Sequence, residues 1–450
     1  MGRARRTGRR RGARGAGAAR VAQARRTGRR HGAPGCGRGV RVCRVDLDAF
    51  RALRAPRGVR MLAEVSGRDT GEASLLATVS ALRRDHPADL VAAAVTQVRL
   101  RDRARAKFGT DADRMFFTPD GLEQATRASV AAHRAARYAA AADAQAGAGA
   151  QAGADAGRVL DLCCGIGGDL VALARAGFTV HGVDRDPLTV MVARANAEAL
   201  DLARMVTVET GDAQATALDG WPAAFCDPGR RTGRQHGGKR VFDPAAYSPP
   251  FRFLTTLAAA VPRTGAKVAP GIPHDLVPDG AEAEWVSDGG EVKEAALWWG
   301  ELATARRRAT LLPGGHTLTD AGAVAESGPV GGYLYEPDGA VIRSGLVTEA
   351  AALIGARLVD PTIAYLSTDS PASTPFATCY AVLEVLPFSL KRLRGLLRAR
   401  GVGAVTVKKR GSPIDPAALR RELRLSGSGH ATVVLTRVAG APTALLVERR

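Results

Sequence analysis

Four short apolar stretches between residues 158 and 227 each run into an acid: "VLD" at Asp161, "FTVHGVD" at Asp184, "VTVETGD" at Asp212 and "AAFCD" at Asp227. The segments "DLVALARAG" and "LTVMVARANAEALDL" between them have helical periodicity. Apolar runs alternating with amphipathic helices predict a parallel sheet with helices packed on it. In such a sheet, ligands bind where the strands end. One acid after a strand is an ordinary loop residue, but four in register along one sheet edge describe a site.

Between the first acid and its helix lies "CCGIGGDL". Gly165 and Gly167 let the backbone pass close to a ligand with no side chain between. The dinucleotide fingerprint G-x-G-x-x-G fails at its third glycine, where Leu170 stands. A phosphate-binding P-loop needs G-K-[ST], which "GGDL" lacks. What remains is D-x-x-x-G-x-G after a strand. Asp184 follows Asp161 by 23 residues, the place for an acid that accepts hydrogen bonds from ribose hydroxyls. Asp186 and Pro187 then read as N-cap and first-turn proline of the next helix.

The net charge of +20 is unevenly placed. Residues 1–44 hold 15 Arg and no acid, and residues 379–450 hold 14 Lys+Arg against four acids, which leaves the middle net acidic. The Arg/Gly/Ala composition of 1–44 cannot build a core. It is read as a disordered tail or a mis-called start upstream of a protein beginning near Val45, and carries no argument for nucleic acid. The six cysteines (Cys36, Cys43, Cys163, Cys164, Cys226 and Cys379) form no C-x-x-C pair. That points away from structural zinc and disulfides and toward a reducing, cytoplasmic setting. No apolar run reaches the ~18 residues of a membrane span.

The predicted organisation is a helical domain over 45–140, an Ala/Gly linker over 141–157 and an α/β domain over 158–310. A small mixed segment follows over 311–378, then a β-α-β-α-β-β domain over 379–450. In the last, "LKRLRGLLRARG" places Lys391, Arg394 and Arg398 opposite Leu390, Leu393 and Leu397, and "VKKRG" presents Lys408, Lys409 and Arg410 at a strand end. In the first, "RMFFTPDGLEQATR" reads as the start of a helix capped by Thr118.

The D-x-x-x-G-x-G turn resembles the first motif of class I S-adenosylmethionine (SAM) methyltransferases. From Val45 onward the chain resembles a bacterial family of such enzymes with a C-terminal THUMP-like domain. The resemblance rests on "MFFTPDGLEQATR", "DLCCGIGGDL", "GVDRDP", "DPGRR", "RVFDPAAYSPP", "APGIPH", "EAALWWGEL", "YLYEPDGAVIRSGLV" and "VKKRG". More distantly it is similar to trimethylguanosine synthase, an RNA-cap guanine N2-methyltransferase. The resemblance implies a Rossmann-like methyltransferase sheet between an N-terminal helical domain and a C-terminal α+β domain. It implies SAM as cofactor, no metal, no membrane, and RNA (ribosomal or transfer) as partner. Cofactor contacts are expected at Asp161, Cys163, Gly165, Gly167, Asp184, Arg185, Asp212 and Ala213, with Phe117 closing over the pocket. Asp227 and the Pro228 carbonyl are expected to hold the methyl-accepting nitrogen.

Amine methyltransferases often place [DNS]-P-P-[YFW] at this strand end, where the aromatic stacks on the base. Here the residues are D-P-G-R, with Gly229 in place of the second proline. Tyr247 or Phe242 is expected to replace the aromatic, and Arg230 and Arg231 to clamp substrate phosphates. The competing readings are a non-catalytic RNA-binding protein on the same fold, and a methyltransferase of protein or small molecules.

Overall fold

The computed structural model describes residues 46–147, 157–230 and 243–450. The readings of 1–44, of most of the linker, and of Arg231 and Phe242 lie outside these residues.

Helices α1 (Leu47–Arg54), α2 (Pro56–Ser66), α3 (Leu75–Leu82) and α4 (Ala88–Phe108) enclose a core of Leu53, Met61, Val65, Leu82, Val91 and Val95. Two further helices, α5 (Pro119–Gln124) and α6 (Ala128–Gly147), lead to the sheet. The chain then alternates β1 (Arg158–Leu162), α7 (Gly168–Arg175), β2 (Thr179–Asp184), α8 (Pro187–Ala199), β3 (Val206–Thr210) and β4 (Ala223–Cys226). A two-residue hairpin, β5 (Gly229–Arg230) with β6 (Tyr247–Ser248), precedes α9 (Arg252–Ala260) and β7 (Arg263–Val268). Next come β8 (Glu282–Asp288), β9 (Glu291–Trp298), β10 (Arg307–Leu312) and β11 (His316–Thr319).

The sheet order is β11-β10-β8-β9-β7-β4-β1-β2-β3. Strands β1, β2, β3, β4 and β7 are parallel, and β9 is antiparallel to both β7 and β8. The β8–β9 hairpin turns at Gly289 and Gly290, whose φ of +63° and +82° suit a tight two-residue turn. Successive residues of β1 face opposite cores, Val159 one and Leu160 the other, as the period-two strand geometry requires.

The segment over 311–378 divides between two sheets. Strand β11 extends the first sheet antiparallel to β10. After it come β12 (Tyr333–Pro337), α10 (Gly339–Ser344), α11 (Val347–Leu353), β13 (Arg357–Asp360) and β14 (Ile363–Thr368). Its three strands join β15 (Ala377–Pro387), β16 (Val402–Lys409), β17 (Gly429–Val438) and β18 (Ala441–Arg449) in a seven-stranded sheet of order β13-β14-β12-β15-β18-β17-β16. Helices α12 (Leu390–Ala399) and α13 (Pro416–Leu423) cover it through Leu393, Leu397, Leu419 and Leu423. One apolar core joins Trp285 and Leu311 of the first sheet to Tyr335, Val341 and Leu366 of the second region. These apolar faces are why 311–378 has no core of its own. Among the described residues, no helix is long and apolar enough to cross a membrane.

Helix α6 is fastened to the first sheet by charge. Arg137 donates to Glu282 (2.7 Å) and Glu284 (3.0 Å), and its guanidinium lies 4.5 Å from the Trp298 ring centroid. His133 meets Glu284 at 2.8 Å, and Arg134 pairs with Asp169 and Glu294. Glu284 also accepts from Trp298 Nε1 and Thr310 Oγ1. Burial raises its pKa, but His133 and Arg137 outweigh that and hold it at about 2. Arg137→Ala leaves two buried carboxylates short of their cation, so urea unfolding should show a loss of about 3–5 kcal/mol.

Candidate cofactor and methyl-transfer site

The four acids stand where four strands deliver them. Asp161 lies inside the end of β1 and is 1% exposed. Asp184 closes β2, Asp212 follows β3 and Asp227 follows β4. Gly165 and Gly167 have φ of +57° and +88°, a region that side chains resist. Cys163 also has positive φ, at +61°. The turn is locked from β2: Asp184 accepts from Gly165 N (3.1 Å) and from Asp186 N (3.0 Å). Burial raises the Asp184 pKa, and those two amides partly offset it.

Asp161 is different. Both of its carboxylate oxygens are buried without a hydrogen-bond partner. Desolvation raises its pKa to about 8; Arg134 opposes the rise, while Asp227 and Asp184 add to it. A buried carboxylate with open acceptors suits a ligand that brings a cation or several N–H donors. The amino-acid end of SAM carries such a group.

Other residues fall as follows. Asp212 is exposed and accepts from Gln214 N, while Ala213 is buried. Arg185 donates to Ser248 Oγ at 2.7 Å, tying β2 to the β5–β6 hairpin. Phe117 is 0% exposed and packs on Phe108 in the core, so it does not stand free as a cover. Tyr247 is 3% exposed, its hydroxyl accepts from Ala269 N at 2.8 Å, and its ring meets Phe251 edge-on. It is therefore held in place and is not an open stacking platform. The Arg230 backbone pairs with Tyr247 in the hairpin.

Several site residues escape a sequence reading. Asp227 Oδ2 accepts from Lys267 Nζ at 2.7 Å, and Lys267 also donates to Thr126 Oγ1 at 3.2 Å. Asn196 bridges the Phe116 backbone to the Ile166 carbonyl inside the glycine turn. Gly121 lies so close to that turn that a Cβ would meet Ile166 Cγ2 at 2.5 Å. Lys107 donates to the carbonyls of Leu122, Glu123 and Ala125. Burial, with Lys267 and Arg127 nearby, lowers its pKa to about 8. Residues 116–126 thus run from the glycine turn to the Lys267–Asp227 pair. Two signals were available: a glycine inside a helix, and a single lysine in the apolar strand "GAKVAP".

The basic residues of the C-terminal region separate. Strand alternation puts Lys408 and Arg410 on one face and leaves Lys409 exposed on the other. Lys408 pairs with Glu336 at 2.6 Å, and Arg410 lies 5.6 Å from the Tyr365 ring centroid. On α12, Arg394 and Arg398 donate to the Glu422 and Arg424 carbonyls at the end of α13, so they serve as caps. Among the described residues, no three metal-ligating side chains converge.

The sheet order, with β9 antiparallel between β7 and β8, and the acids at the strand ends define a class I methyltransferase architecture. The chain is 37% identical over 356 residues to an uncharacterized S-adenosylmethionine-dependent methyltransferase of Mycobacterium tuberculosis, covering 75% of this chain and 90% of that one. It belongs to this family of SAM-dependent methyltransferases. Residues 156–251 match the family described as RNA cap guanine-N2 methyltransferase, 377–449 the THUMP domain-like family, and 46–104 a domain of unknown function. The crystal structure of a candidate methyltransferase from Porphyromonas gingivalis shares the fold, with a TM-score of 0.64 and 22% identity. The match covers 84% of this chain and 98% of that one.

Two measurements probe the site. The raised pKa of Asp161 means that the folded chain holds a proton which the unfolded chain releases near the ordinary aspartate value of 3.8. Its contribution to stability therefore declines as pH rises toward about 8. In cofactor-free protein, the Tm of Asp161→Asn relative to wild type should climb between pH 5 and 8 and then level off. Asp184→Ala removes the lock on the glycine turn and the expected ribose acceptor, so calorimetry should show SAM affinity falling by about 2–4 kcal/mol.

Proposed function

We propose that this SAM-dependent methyltransferase transfers a methyl group to a nitrogen of an RNA base. The observation that carries the reading is the Asp227–Lys267 pair at the end of β4. Lys267 holds one carboxylate oxygen, and Oδ1 has no hydrogen bond among the described residues. Asp227 is then set to accept from an N–H of the substrate, with the carbonyl of buried Pro228 as a second acceptor. Lys107, Arg127 and Lys267 gather positive charge near this point, which suits a polyanionic substrate. The matches to an RNA cap guanine-N2 methyltransferase family and to a THUMP-like family support RNA as the partner.

When bound, SAM supplies an electrophilic methyl on a sulfonium sulfur. Asp161 would pair with its cationic amino group, and Gly165 and Gly167 would let the backbone approach. Asp184 would take the ribose, with Cys163, Arg185, Asp212 and Ala213 around the remainder. Transfer would form the N–C bond as the S–C bond breaks, with S-adenosylhomocysteine as the leaving group and the displaced N–H proton passing to water, so that alignment of the acceptor nitrogen supplies most of the acceleration. Lys267 and Thr126 serve that alignment by fixing the Asp227 carboxylate. Arg230, Arg231 and the basic residues Lys408, Lys409 and Arg410 act on capture of the RNA.

The test is transfer of labelled methyl from SAM to fractionated total RNA, with nuclease and protease controls. Label should enter a nuclease-sensitive, protease-resistant product. Asp227→Ala should cut turnover by on the order of a hundredfold or more, with SAM affinity nearly unchanged. Label found only in a protease-sensitive product would replace RNA by protein.

A further inference from the structure

Residues 115–118 lie outside any helix or strand, yet their backbone is held much as a strand would be. Two side-chain amides, Asn196 of α8 and Gln97 of α4, are each 0% exposed and supply the bonds. Asn196 accepts from Phe116 N at 2.6 Å and donates to the Phe116 carbonyl at 3.1 Å. Gln97, with its amide oriented to satisfy both groups, accepts from Phe117 N at 3.0 Å and donates to the Phe117 carbonyl at 3.1 Å. A carboxamide carries the same donor and acceptor types as a peptide unit. Each therefore stands in for one residue of a neighbouring strand.

The two amides differ in one respect. The bonds of Gln97 go to Phe117. Asn196 Nδ2 also donates to the Ile166 carbonyl at 2.9 Å, inside the glycine turn. The other end of that peptide is fixed as well, because Gly167 N donates to the Cys164 carbonyl at 3.0 Å. With both ends bonded, the plane of the 166–167 peptide cannot rotate. Gly165 and Gly167, both at positive φ, would otherwise leave the turn free to take other shapes. Asp184 holds the front of the turn through Gly165 N, and Asn196 holds its back.

We infer that Asn196 is a positioning residue for SAM: without touching the cofactor, it fixes the glycine turn in its ligand-ready shape and ties that shape to residues 115–118. The inference rests on the placement of SAM at this turn and not on the nature of the methyl acceptor. A turn that is competent in only roughly one molecule in 20 binds about 20-fold more weakly. Because Asn196 bonds both segments, cofactor binding and the ordering of 115–118 strengthen one another, as linkage requires.

Gln97→Ala is the matched control for Asn196→Ala. It strips an amide from the same segment but leaves the turn bonded. Both variants lose buried hydrogen bonds, so both should lower Tm. Calorimetry on the full chain, well below both transitions, separates them. Asn196→Ala should bind SAM about 10- to 50-fold more weakly than wild type, and Gln97→Ala within about threefold of it. S-adenosylhomocysteine should weaken by the same factors, since the turn and not the methyl group has changed. A difference of less than about threefold between the two variants overturns the inference. If Asp184→Ala still loses affinity in that case, the placement of SAM stands. If Asp184→Ala binds as wild type, the placement falls and the inference with it. Should Asn196→Ala fail to fold, hydrogen exchange of wild type decides. Adding S-adenosylhomocysteine should slow exchange across 115–118 together with 163–167, and slowing confined to 163–167 overturns the inference.

Discussion

The row of cations on α6 set against carboxylates on β8 and β9 is the constraint from which the rest of the arrangement follows. His133, Arg134 and Arg137 recur at helical spacing and meet Glu282, Glu284 and Glu294. Arg134 and Arg137 also lie over the Phe225 and Trp298 rings. Such a buried network adds little net stability over an apolar seam, but it punishes any displacement that strands a charge. It therefore acts on position. With α6 held, the preceding residues 116–126 are held as well. Thr126 meets Lys267, Gly121 meets the glycine turn, and Ser129 reaches Asp288 at 3.0 Å. The N-terminal helices thus help build the site as well as flank it.

Two acids on neighbouring strands show how placement divides labour among chemically identical groups. Asp184 spends both oxygens on backbone amides and shapes the turn. Asp161 spends neither. Its cost in the free protein fits a group whose partner arrives from outside. Arg134 is close enough to moderate the cost but pairs with Asp169 and Glu294 instead.

The parallel core was legible because each buried strand is a short apolar run and each run stops at an acid. The C-terminal β-α-β-α-β-β order was legible from the same punctuation, with Gly401 and Gly440 at turns of positive φ. Other features depend on contacts between distant segments. Lys267 and Asp227 are 40 residues apart, and neither local pattern mentions the other. "VKKRG" reads as one basic patch until strand alternation turns Lys409 away from its neighbours. Arg394 and Arg398 read as an open basic face, although the end of α13 supplies carbonyls for both. Tyr247 has the chemistry of a stacking residue, but the amide of Ala269 occupies its hydroxyl. The distribution of 311–378 between two sheets was hidden because its strands are short and find their partners far along the chain.

The seven-stranded sheet has a consequence for how this chain can be divided. The THUMP-like match begins at residue 377, where β15 starts, yet β15 lies between β12 and β18 in the interior of the sheet. A cut there follows the recognised sequence unit but tears a ladder, exposing the backbone of β12 on one fragment and of β15 on the other. Unpaired edges of this kind invite pairing with other chains. The physical joint lies earlier, between β11 and β12, where the backbone passes from one sheet to the other. The inherited module and the mechanical module therefore have different borders. The accretion of β12–β14 onto β15 makes the C-terminal region an outgrowth of the enzyme rather than a detachable appendage.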